Sequence, residues 1–542
     1  MKSQSPTKQV VTSHLPKDTV RETVESIVVA FILAFLFRTF EAEAFVIPTG
    51  SMAPTLMGQH KDLDCPQCGF TFQVGVKEDP RWDISGCTCP NCRYVINFEH
   101  DYDRIPTSFK GDRIIVSKFP YEFGDPSRWD VAVFKYPATA KTNFIKRIVG
   151  LPRERLRVLH GNIYTKPDGA TDFKIETKPP EKVLAMLQMV YDNDHCLPNY
   201  IAKGLPARWT SATAAGSSAW QPSEDYRTFE LKAPTQDQAL LRYEHRTPDA
   251  NDWAALKYNP DSPNTRQRLS EIPADPVVDF CAYDTGFRDE PYLGAYAVGD
   301  LALECELEIL RSEQADPRGG EAVLELIEGG RAFRCRIDLS TGDATLLADD
   351  LPSFKPTAKT AVRGTGRHRL RFSNVDDQLL VWVDDALVAF DAPTRYELPW
   401  QGPSERDGTP ASIAVRGVAA RLSHLRVLRD VYYLTEQESR GIASQDNNPV
   451  ALNGSREPME FTLAADQFLV FGDNSPKSKD SRLWTRSDEF GKPEYYVSRE
   501  LLIGKAMFVY WPHALDTIPG TGMTLPPALQ WVPNFARRRF IR

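Results

Sequence analysis

The chain has little of several features that define large protein classes. Its 542 residues carry a net charge of -8, so it lacks the basic surplus of a dedicated nucleic-acid-binding protein, and we expect no nucleic-acid partner. Its nine cysteines are too few for a scaffold built on disulfides. Nine histidines occur, but none lies in a catalytic motif, and Thr49–Ala53 lacks the second glycine of a nucleophile elbow. A histidine-based catalytic triad is therefore disfavoured.

Long hydrophobic runs are also scarce. Segment Ser26–Phe37 is an apolar run of twelve residues, whereas a membrane-spanning helix needs roughly 18 to 20. Glu25 and Arg38 can extend their polar groups away from its ends, so we interpret residues 23–44 as a retained transmembrane anchor rather than a buried helix or a cleaved leader. Basic residues within 1–22 favour a cytoplasmic N-terminal tail. This predicts a single-pass protein of the cytoplasmic (inner) membrane, with its later residues on the extracytoplasmic side.

Two motifs beyond this run suggest a serine nucleophile with a lysine base. Ser51 lies in the turn-like segment Pro48–Leu56, and Lys146 lies among apolar residues in Phe144–Pro152. Serine needs a base, and lysine can act as one only when its amine is uncharged. Burial favours the neutral amine by lowering its pKa, by up to roughly 3 to 5 units. Taken singly, the serine also fits a plain turn and the lysine a solvated basic edge.

Several motifs in a fixed order favour the catalytic roles of Ser51 and Lys146. Together they resemble the bacterial type I signal peptidases, which remove leader peptides from exported proteins. The matching blocks are Pro48–Leu56, Gly111–Phe119, Lys146–Pro152, Gly472–Arg482, Gly504–Ala506 and Tyr510–Pro512. The resemblance implies that Ser51 is the nucleophile and that Lys146 is the general base, then the acid. It further implies that Ser478 orients the lysine and that the Thr49 hydroxyl, with the Ser51 N–H, forms the oxyanion hole.

The resemblance also implies a substrate-binding surface. Its positions are Phe45, Ile47, Pro48, Met52, Leu56, Phe144 and Ile145. They would line shallow pockets that read an Ala-x-Ala-like site, with the leader bound as an added strand on an exposed sheet edge. Preproteins bearing signal peptides, the lipid bilayer and the translocation machinery are the partners that follow. For Leu56, a plain core position fits equally well.

Two segments depart from the family pattern. Arg153–Glu154 replaces the usual Gly-Asp pair, and Ser475–Lys477 replaces the usual arginine and asparagine. Asp480 and Arg482 are kept, and we interpret them as a structural ion-pair framework in which Arg147 is a candidate partner.

A cysteine cluster interrupts the resemblance within residues 61–105. Two Cys-x-x-Cys knuckles stand twenty residues apart, formed by Cys65, Cys68, Cys89 and Cys92. This spacing predicts a four-thiolate structural zinc site in a small ribbon, and four sulfurs leave no open position for catalysis. We expect no cofactor for the reaction itself. Two disulfides are the alternative reading, and Cys87 could substitute for Cys89.

A second insertion carries the alternating pattern of half-buried strands, for example in Leu301–Ile309. Segment Gln378–Phe390 reads as two strands around an Asp-Asp turn, hence a hairpin. These signals predict an antiparallel β-sandwich over 208–434 that resembles the concanavalin-like jelly-roll family, which often binds carbohydrate. Its turn aspartates could bind calcium, although solvated turns explain them more simply.

The predicted fold class is therefore mainly β. It consists of a signal-peptidase-like antiparallel β-barrel core with one N-terminal transmembrane helix, a small four-cysteine ribbon and a large jelly-roll-like sandwich. The predicted segments are the tail (1–22), the anchor (23–44), three core segments (45–60, 106–170 and 435–520), the ribbon (61–105), a linker (171–207), the sandwich (208–434) and a basic tail (521–542).

Two other functions fit parts of the pattern. Self-cleaving repressors also pair serine with lysine, but they would need a DNA-binding helix pair in place of the anchor. In the second alternative, the chain is a membrane-tethered binding or assembly protein. Its sandwich and ribbon are then the functional modules, and its protease core is inactive.

Overall fold

The computed structural model describes most of the chain. The described residues are 19–40, 42–77, 84–103, 105–137, 139, 141–212, 219–286, 292–311, 319–435, 458–484, 495–514, 525 and 533–542. Within these ranges the α-helices are α1 (Thr19–Phe40), α2 (Phe98–Asp101), α3 (Phe119–Phe123), α4 (Pro180–Met186), α5 (Pro198–Ile201), α6 (Ala250–Tyr258) and α7 (Pro263–Ser270). Strands dominate the rest, so the mainly β prediction is confirmed.

One antiparallel sheet, the core sheet, contains most of the family-like motifs. In order across the sheet, its strands are β1 (Ala42–Val46), β7 (Arg113–Ser117), β31 (Leu502–Trp511), β8 (Val131–Lys135), β9 (Asn143–Gly150), β29 (Gln467–Phe471) and β30 (Val497–Ser498), with β32 (Arg539–Phe540) on β31. A smaller sheet continues from it: β12 (Lys174–Ile175), β11 (Asn162–Pro167), β10 (Glu154–Leu159) and β28 (Met459–Thr462). Segments far apart in sequence therefore meet in one unit.

Two further sheets are formed by strands of the long insertion (208–434) and one strand of the predicted linker (171–207). The first contains β15 (Gln221–Pro222), β16 (Phe229–Leu231), β27 (Ala420–Arg429), β18 (Leu301–Ile309), β23 (Gly366–Val375), β24 (Gln378–Val383) and β25 (Ala386–Leu387), with β13 (Gln188–Asp192) on β27. The second contains β14 (Trp209–Ala212), β17 (Ala239–Tyr243), β26 (Ala411–Arg416), β19 (Glu321–Glu328), β20 (Arg331–Asp338), β21 (Asp343–Ala348) and β22 (Thr357–Lys359). Side chains of both sheets share one hydrophobic core.

The cysteine-rich segment forms two small sheets. One contains β3 (Thr71–Gly75), β2 (His60–Asp64) and β6 (Ser108–Phe109), and the other pairs β4 (Gly86–Thr88) with β5 (Val95–Asn97). The four knuckle cysteines and aromatic residues such as Phe72 and Phe98 pack in one cluster with Trp253 of α6. The ribbon thus shares its core with the insertion.

The core sheet is not the barrel that the sequence predicts. Its outermost strands along the pairing path, β1 and β30, do not pair with each other in the described residues. In the described residues β1 pairs only with β7, and β30 pairs only with β29. Each strand therefore has one free edge. The prediction of a closed barrel is therefore wrong, and the core is an open, curled sheet.

The predicted anchor segment, 23–44, also folds differently from a single span. Helix α1 ends at Phe40, and the chain enters strand β1 at Ala42. Among the described residues, no helix combines the length and the apolar character needed to cross a membrane. The remaining predicted segment boundaries, including the 208–434 sandwich and its concanavalin-like character, stay predictions. Most of the predicted tail, 1–22, lies outside the described residues.

Candidate active site

Ser51 and Lys146 come from opposite parts of the core sheet. Ser51 lies in a short 3-10 turn, Gly50–Met52, that follows β1, whereas Lys146 lies in β9. Three strands separate β1 from β9 in the sheet order. Even so, Lys146 Nζ donates a hydrogen bond to Ser51 Oγ at 2.6 Å. The curl of the sheet therefore brings together two motifs that are 95 residues apart in sequence.

The surroundings of Lys146 favour a neutral amine. Its side chain is only 4% exposed, and Nζ also donates to the carbonyl of Ile145 at 2.9 Å. The Phe144 ring lies 5.4 Å from Nζ. Burial lowers the pKa of Lys146 from 10.5 to about 8, although the negative charges of Asp480 and Asp473 act in the opposite direction. About a tenth of this lysine is therefore uncharged at pH 7, far more than for an exposed lysine.

The motif Gly472–Arg482 fixes the backbone around Ser51. The Asn474 N–H donates to the Ser51 carbonyl at 3.2 Å, and its side-chain amide donates to the Gly50 carbonyl at 3.1 Å. Gly472 packs so closely here that an added Cβ would lie 2.3 Å from the Ser51 carbonyl oxygen. Only glycine fits at that position, which explains why the motif begins with it.

Two buried ion pairs support the same motif. Arg147 forms a bidentate pair with Asp473 through contacts of 2.8 and 2.7 Å, and Arg482 pairs with Asp480 at 2.8 and 2.6 Å. Both pairs are fully buried. The predicted Asp480–Arg482 framework is confirmed, but the partner of Arg147 is Asp473. Because Arg147 follows Lys146 in β9, the first pair links the lysine strand to the motif that holds Ser51.

The insertion also reaches this site, which the sequence does not reveal. The Asp284 carboxylate accepts a hydrogen bond from the Asn474 amide at 2.9 Å, and the Tyr283 hydroxyl donates to the Gln59 carbonyl at 2.7 Å. The Tyr283 ring also fills the space beside Gly50. Burial raises the pKa of Asp284 from 3.8 to about 6. No motif marks these residues, because they lie more than 220 positions from the turn that they support.

Ser478 does not make its predicted contact with Lys146, whereas the predicted contact of Thr49 is with an oxyanion that forms only on a bound substrate. Thr49 precedes the 3-10 turn in extended conformation, is exposed, and has no side-chain capping bond. Ser478 is 1% exposed, and its Oγ has no hydrogen-bond partner among the described residues. That oxygen would lie 2.2 Å from a Cβ added to Gly472. Ser478 thus lies beside the glycine that packs on Ser51, without a hydrogen bond to Lys146.

The predicted substrate-facing residues divide by burial. Four of them form part of one buried cluster: Ile47, Met52, Leu56 and Ile145. Phe45 and Phe144 are partly buried, and Pro48 is exposed. The open edge of β1, which carries Phe45, lies directly before the Ser51 turn. On β9, the pairing with β29 covers only Arg147, Ile148 and Gly150, so residues before Arg147 lack a neighbour on that side in the described chain.

Comparison with known families agrees with this geometry. The family model described as "Signal peptidase, peptidase S26" matches residues 102–195 and 424–511. The chain is similar to signal peptidases. Lys146 and Ser478 lie inside the matched residues, whereas Ser51 lies before them.

Individual relatives agree with the family match. A probable signal peptidase I-2 of Synechocystis is 30% identical over 154 residues, which cover 28% of this chain and 47% of the relative. The signal peptidase I of Leptolyngbya laminosa is 27% identical over 195 residues, covering 34% of this chain and 70% of that relative. The chain therefore spans about half the length of the Synechocystis relative. Among solved structures, the carbohydrate-binding module CBM66 from Bacillus subtilis shares 9% identity at a TM-score of 0.23, covering 41% of this chain and 95% of the module.

The four knuckle cysteines converge on one point, as the spacing predicts. All four sulfurs lie within 4.8 Å of one another, with 3.6 Å between Cys65 and Cys92 and 3.7 Å between Cys68 and Cys89. A tetrahedral zinc with bonds of about 2.3 Å would hold its sulfurs about 3.8 Å apart, so the donor set fits this ion. The sulfurs are too far apart for disulfides of about 2.05 Å, and all four cysteines are free. Cys87 is buried but is not part of the group.

Proposed function

We propose that this chain is a serine endopeptidase that removes N-terminal signal peptides from exported preproteins. The observation that carries the proposal is the 2.6 Å contact between Ser51 Oγ and the buried amine of Lys146. The match to the signal peptidase family supports the same reaction class. Neither a nearby histidine nor a metal is needed for the steps below.

In the proposed mechanism, the neutral amine of Lys146 accepts the Ser51 proton as Oγ attacks the scissile carbonyl. The Thr49 hydroxyl and the Ser51 N–H stabilise the resulting oxyanion, and a donor of this kind contributes about 3 to 4 kcal/mol to the barrier reduction. The ammonium of Lys146 then protonates the leaving amine. Water attacks the acyl-enzyme ester in the second half, with Lys146 again acting as base.

The leader is proposed to bind extended, beside the open edge of β1 and the uncovered start of β9. Main-chain hydrogen bonds along such edges provide affinity independent of sequence. Met52 and Leu56, which the resemblance assigns to the substrate pockets, are fully buried close to Ser51. Cleavage after small residues in an Ala-x-Ala-like site is the specificity that the resemblance implies.

Two further features belong to this proposal. Helix α1 is proposed to attach the chain to the cytoplasmic membrane, with the active site on the extracytoplasmic side. Its support is a set of exposed apolar side chains: Val24, Ile27, Val28, Val29, Phe31 and Ile32. The cysteine knuckles are proposed to hold a structural zinc ion.

Cleavage of a synthetic leader peptide tests the proposal. We expect the purified chain to cut an Ala-x-Ala peptide at one bond, detected by mass spectrometry, and Ser51→Ala or Lys146→Ala to reduce the rate by at least about a thousandfold. Lys232→Ala changes an exposed lysine and provides the matched control.

Near-normal cleavage by either active-site variant, with the fold retained by circular dichroism, would contradict the assignment. Absence of cleavage by the unaltered chain would favour the alternative of a membrane-tethered binding or assembly protein. No contact among the described residues bears on a carbohydrate ligand or on the translocation machinery, so both stay predictions.

A further inference from the structure

A cavity of about 380 Å³ lies between the second cysteine knuckle and the segment of the insertion from 245 to 297. This volume is typical of small-molecule sites. Its walls are mainly apolar, and the apolar lining includes Val95, Pro248, Pro276, Val278, Phe280 and Leu293. None of the proposed catalytic or substrate-binding residues lines it. The cavity therefore needs a separate explanation.

The wall of this cavity contains an arginine without an acidic partner. The guanidinium of Arg93 stacks on the Phe280 ring, with its central carbon 3.6 Å from the ring centroid. Its Nε is buried and has no hydrogen-bond partner, and no carboxylate pairs with the side chain in the described part of the chain. Among the charged groups near it, Arg208 and Arg429 carry the same sign, and a thiolate at Cys89 carries the opposite sign without contacting the guanidinium. A partly buried cation in such surroundings is stabilised when an anion enters beside it.

The remaining polar groups of the cavity do not neutralise Arg93. Asp249 caps α6 and pairs with Arg268, and Asp275 is exposed. His245 is buried, and its Nδ1 lies 2.9 Å from the Tyr243 hydroxyl. Donation from that hydroxyl to Nδ1 leaves the ring hydrogen on Nε2, which gives the wall a second donor. The cavity thus offers donors and positive charge at one place and apolar surface elsewhere.

The backbone at Arg93 points to a role for its side chain. Arg93 follows the last cysteine of its knuckle with a φ of 63°, and Gly69 occupies the same position of the first knuckle with a φ of 69°. Glycine adopts this left-handed conformation readily, whereas arginine rarely does. The second knuckle therefore carries arginine where its own fold favours glycine. That choice does not serve the turn itself.

We propose that this cavity binds an organic carboxylate with an apolar body. The carboxylate pairs with the Arg93 guanidinium, and the apolar body contacts the proline, valine and leucine side chains of the walls. This chemistry occurs in a free fatty acid and in a peptide that ends in an apolar residue. The site is independent of the proposed peptidase reaction.

Isothermal titration of the full-length chain with octanoate tests the proposal. We expect saturable binding of octanoate at one site per chain and at least tenfold weaker binding of octan-1-ol, which lacks the charge. The decisive variant is Arg93→Gly, because it restores the residue that the first knuckle uses and so preserves the turn. We expect Arg93→Gly to weaken octanoate binding at least tenfold, with the thermal transition unchanged, and Arg93→Lys to retain part of the affinity.

A second titration distinguishes the two sources of the carboxylate. Acetyl-Ala-Leu with a free carboxylate is compared with its C-terminal amide. Binding of the free acid but not of the amide assigns a peptide C-terminus, and binding of octanoate alone assigns a fatty acid. Equal octanoate binding by the unaltered chain and Arg93→Gly, or no saturable binding of either carboxylate, would overturn the proposal.

Discussion

Lys146 illustrates how a single residue depends on its surroundings. An exposed lysine is almost fully charged at neutral pH and cannot act as a base. At 4% exposure, with its amine facing Ser51, this lysine has a pKa of about 8. The carboxylates of Asp473 and Asp480 favour the charged form, so burial must outweigh both. Replacing the apolar neighbours of Lys146 with polar residues would therefore raise the pKa of Lys146 and slow the proposed reaction.

The pKa of Lys146 predicts the pH dependence of cleavage. Because the neutral amine is the active form in the proposed mechanism, kcat/KM should rise about tenfold per pH unit below about 8 and level off above it. Measuring initial rates between pH 6 and 10, with circular dichroism at each pH as the control for folding, checks this. A flat profile across that range would exclude Lys146 as the base.

The same shift has a consequence for stability with a defined sign. The pKa of Lys146 is about 8 in the folded chain and 10.5 as a free side chain, so the unfolded chain binds more protons between these values. The contribution of this group to stability therefore increases as the pH rises through that window.

We expect Asp284 to position the turn that carries Ser51, acting through Asn474. We expect Asp284→Ala to lower kcat on the order of tenfold to a hundredfold, because the Asn474 amide loses the acceptor that orients it toward the Gly50 carbonyl. Asp284→Asn keeps an oxygen acceptor and should restore most of the rate with KM unchanged. If both variants lost activity equally, or if neither did, this role would be wrong.

At the scale of elements, turns decide how neighbouring strands meet. The predicted hairpin after Gln378 is confirmed, and Asp384 and Asp385 at its turn have φ values of 50° and 65°. Two left-handed residues in succession match the twist of a two-residue hairpin. Its second strand ends at Leu387, earlier than the apolar run suggests. Each cysteine knuckle likewise contains a left-handed residue, Gly69 in the first and Arg93 in the second. The sulfurs of the four knuckle cysteines lie close together.

The knuckles predict a measurable metal content. Anaerobically purified chain should contain about one zinc ion, because four converging thiolates satisfy a tetrahedral ion. We expect Cys89→Ser to lower the zinc content and the thermal transition of the ribbon. Cys87→Ser, two residues away in sequence, should leave both unchanged. Zinc lost from Cys87→Ser but kept in Cys89→Ser would contradict the predicted ligand set.

At the scale of the whole molecule, the insertion and the core sheet support each other. Lys178 lies beyond the core strands and contacts Asp430 at 2.7 Å and Asp376 at 2.9 Å, both within the insertion. All three side chains are buried. These pairs join the predicted linker to the long insertion, and the contact from Asp284 to Asn474 joins the insertion to the motifs around Ser51. Removing the insertion would therefore expose charged groups and release the nucleophile turn.

Attachment of the whole chain to a membrane can be tested directly. Phe31 is 74% exposed and Val29 53% exposed on α1, and apolar surface of this kind is stabilised by lipid. We expect the full chain to float with liposomes in a density gradient and a version that begins at residue 42 to remain at the bottom. Equal flotation of both, or of neither, would contradict attachment through α1.

The sequence by itself determined the local and chemical features of this protein. Short motifs indicated Ser51 and Lys146, cysteine spacing indicated that four sulfurs converge, and alternation located strands such as Leu301–Ile309, because these signals depend on neighbouring residues alone. The tertiary structure decided the rest. It paired Arg147 with Asp473, left the core sheet open and brought Tyr283 and Asp284 to the nucleophile turn. Such contacts join distant segments through the curl of a sheet, and no local pattern records that geometry.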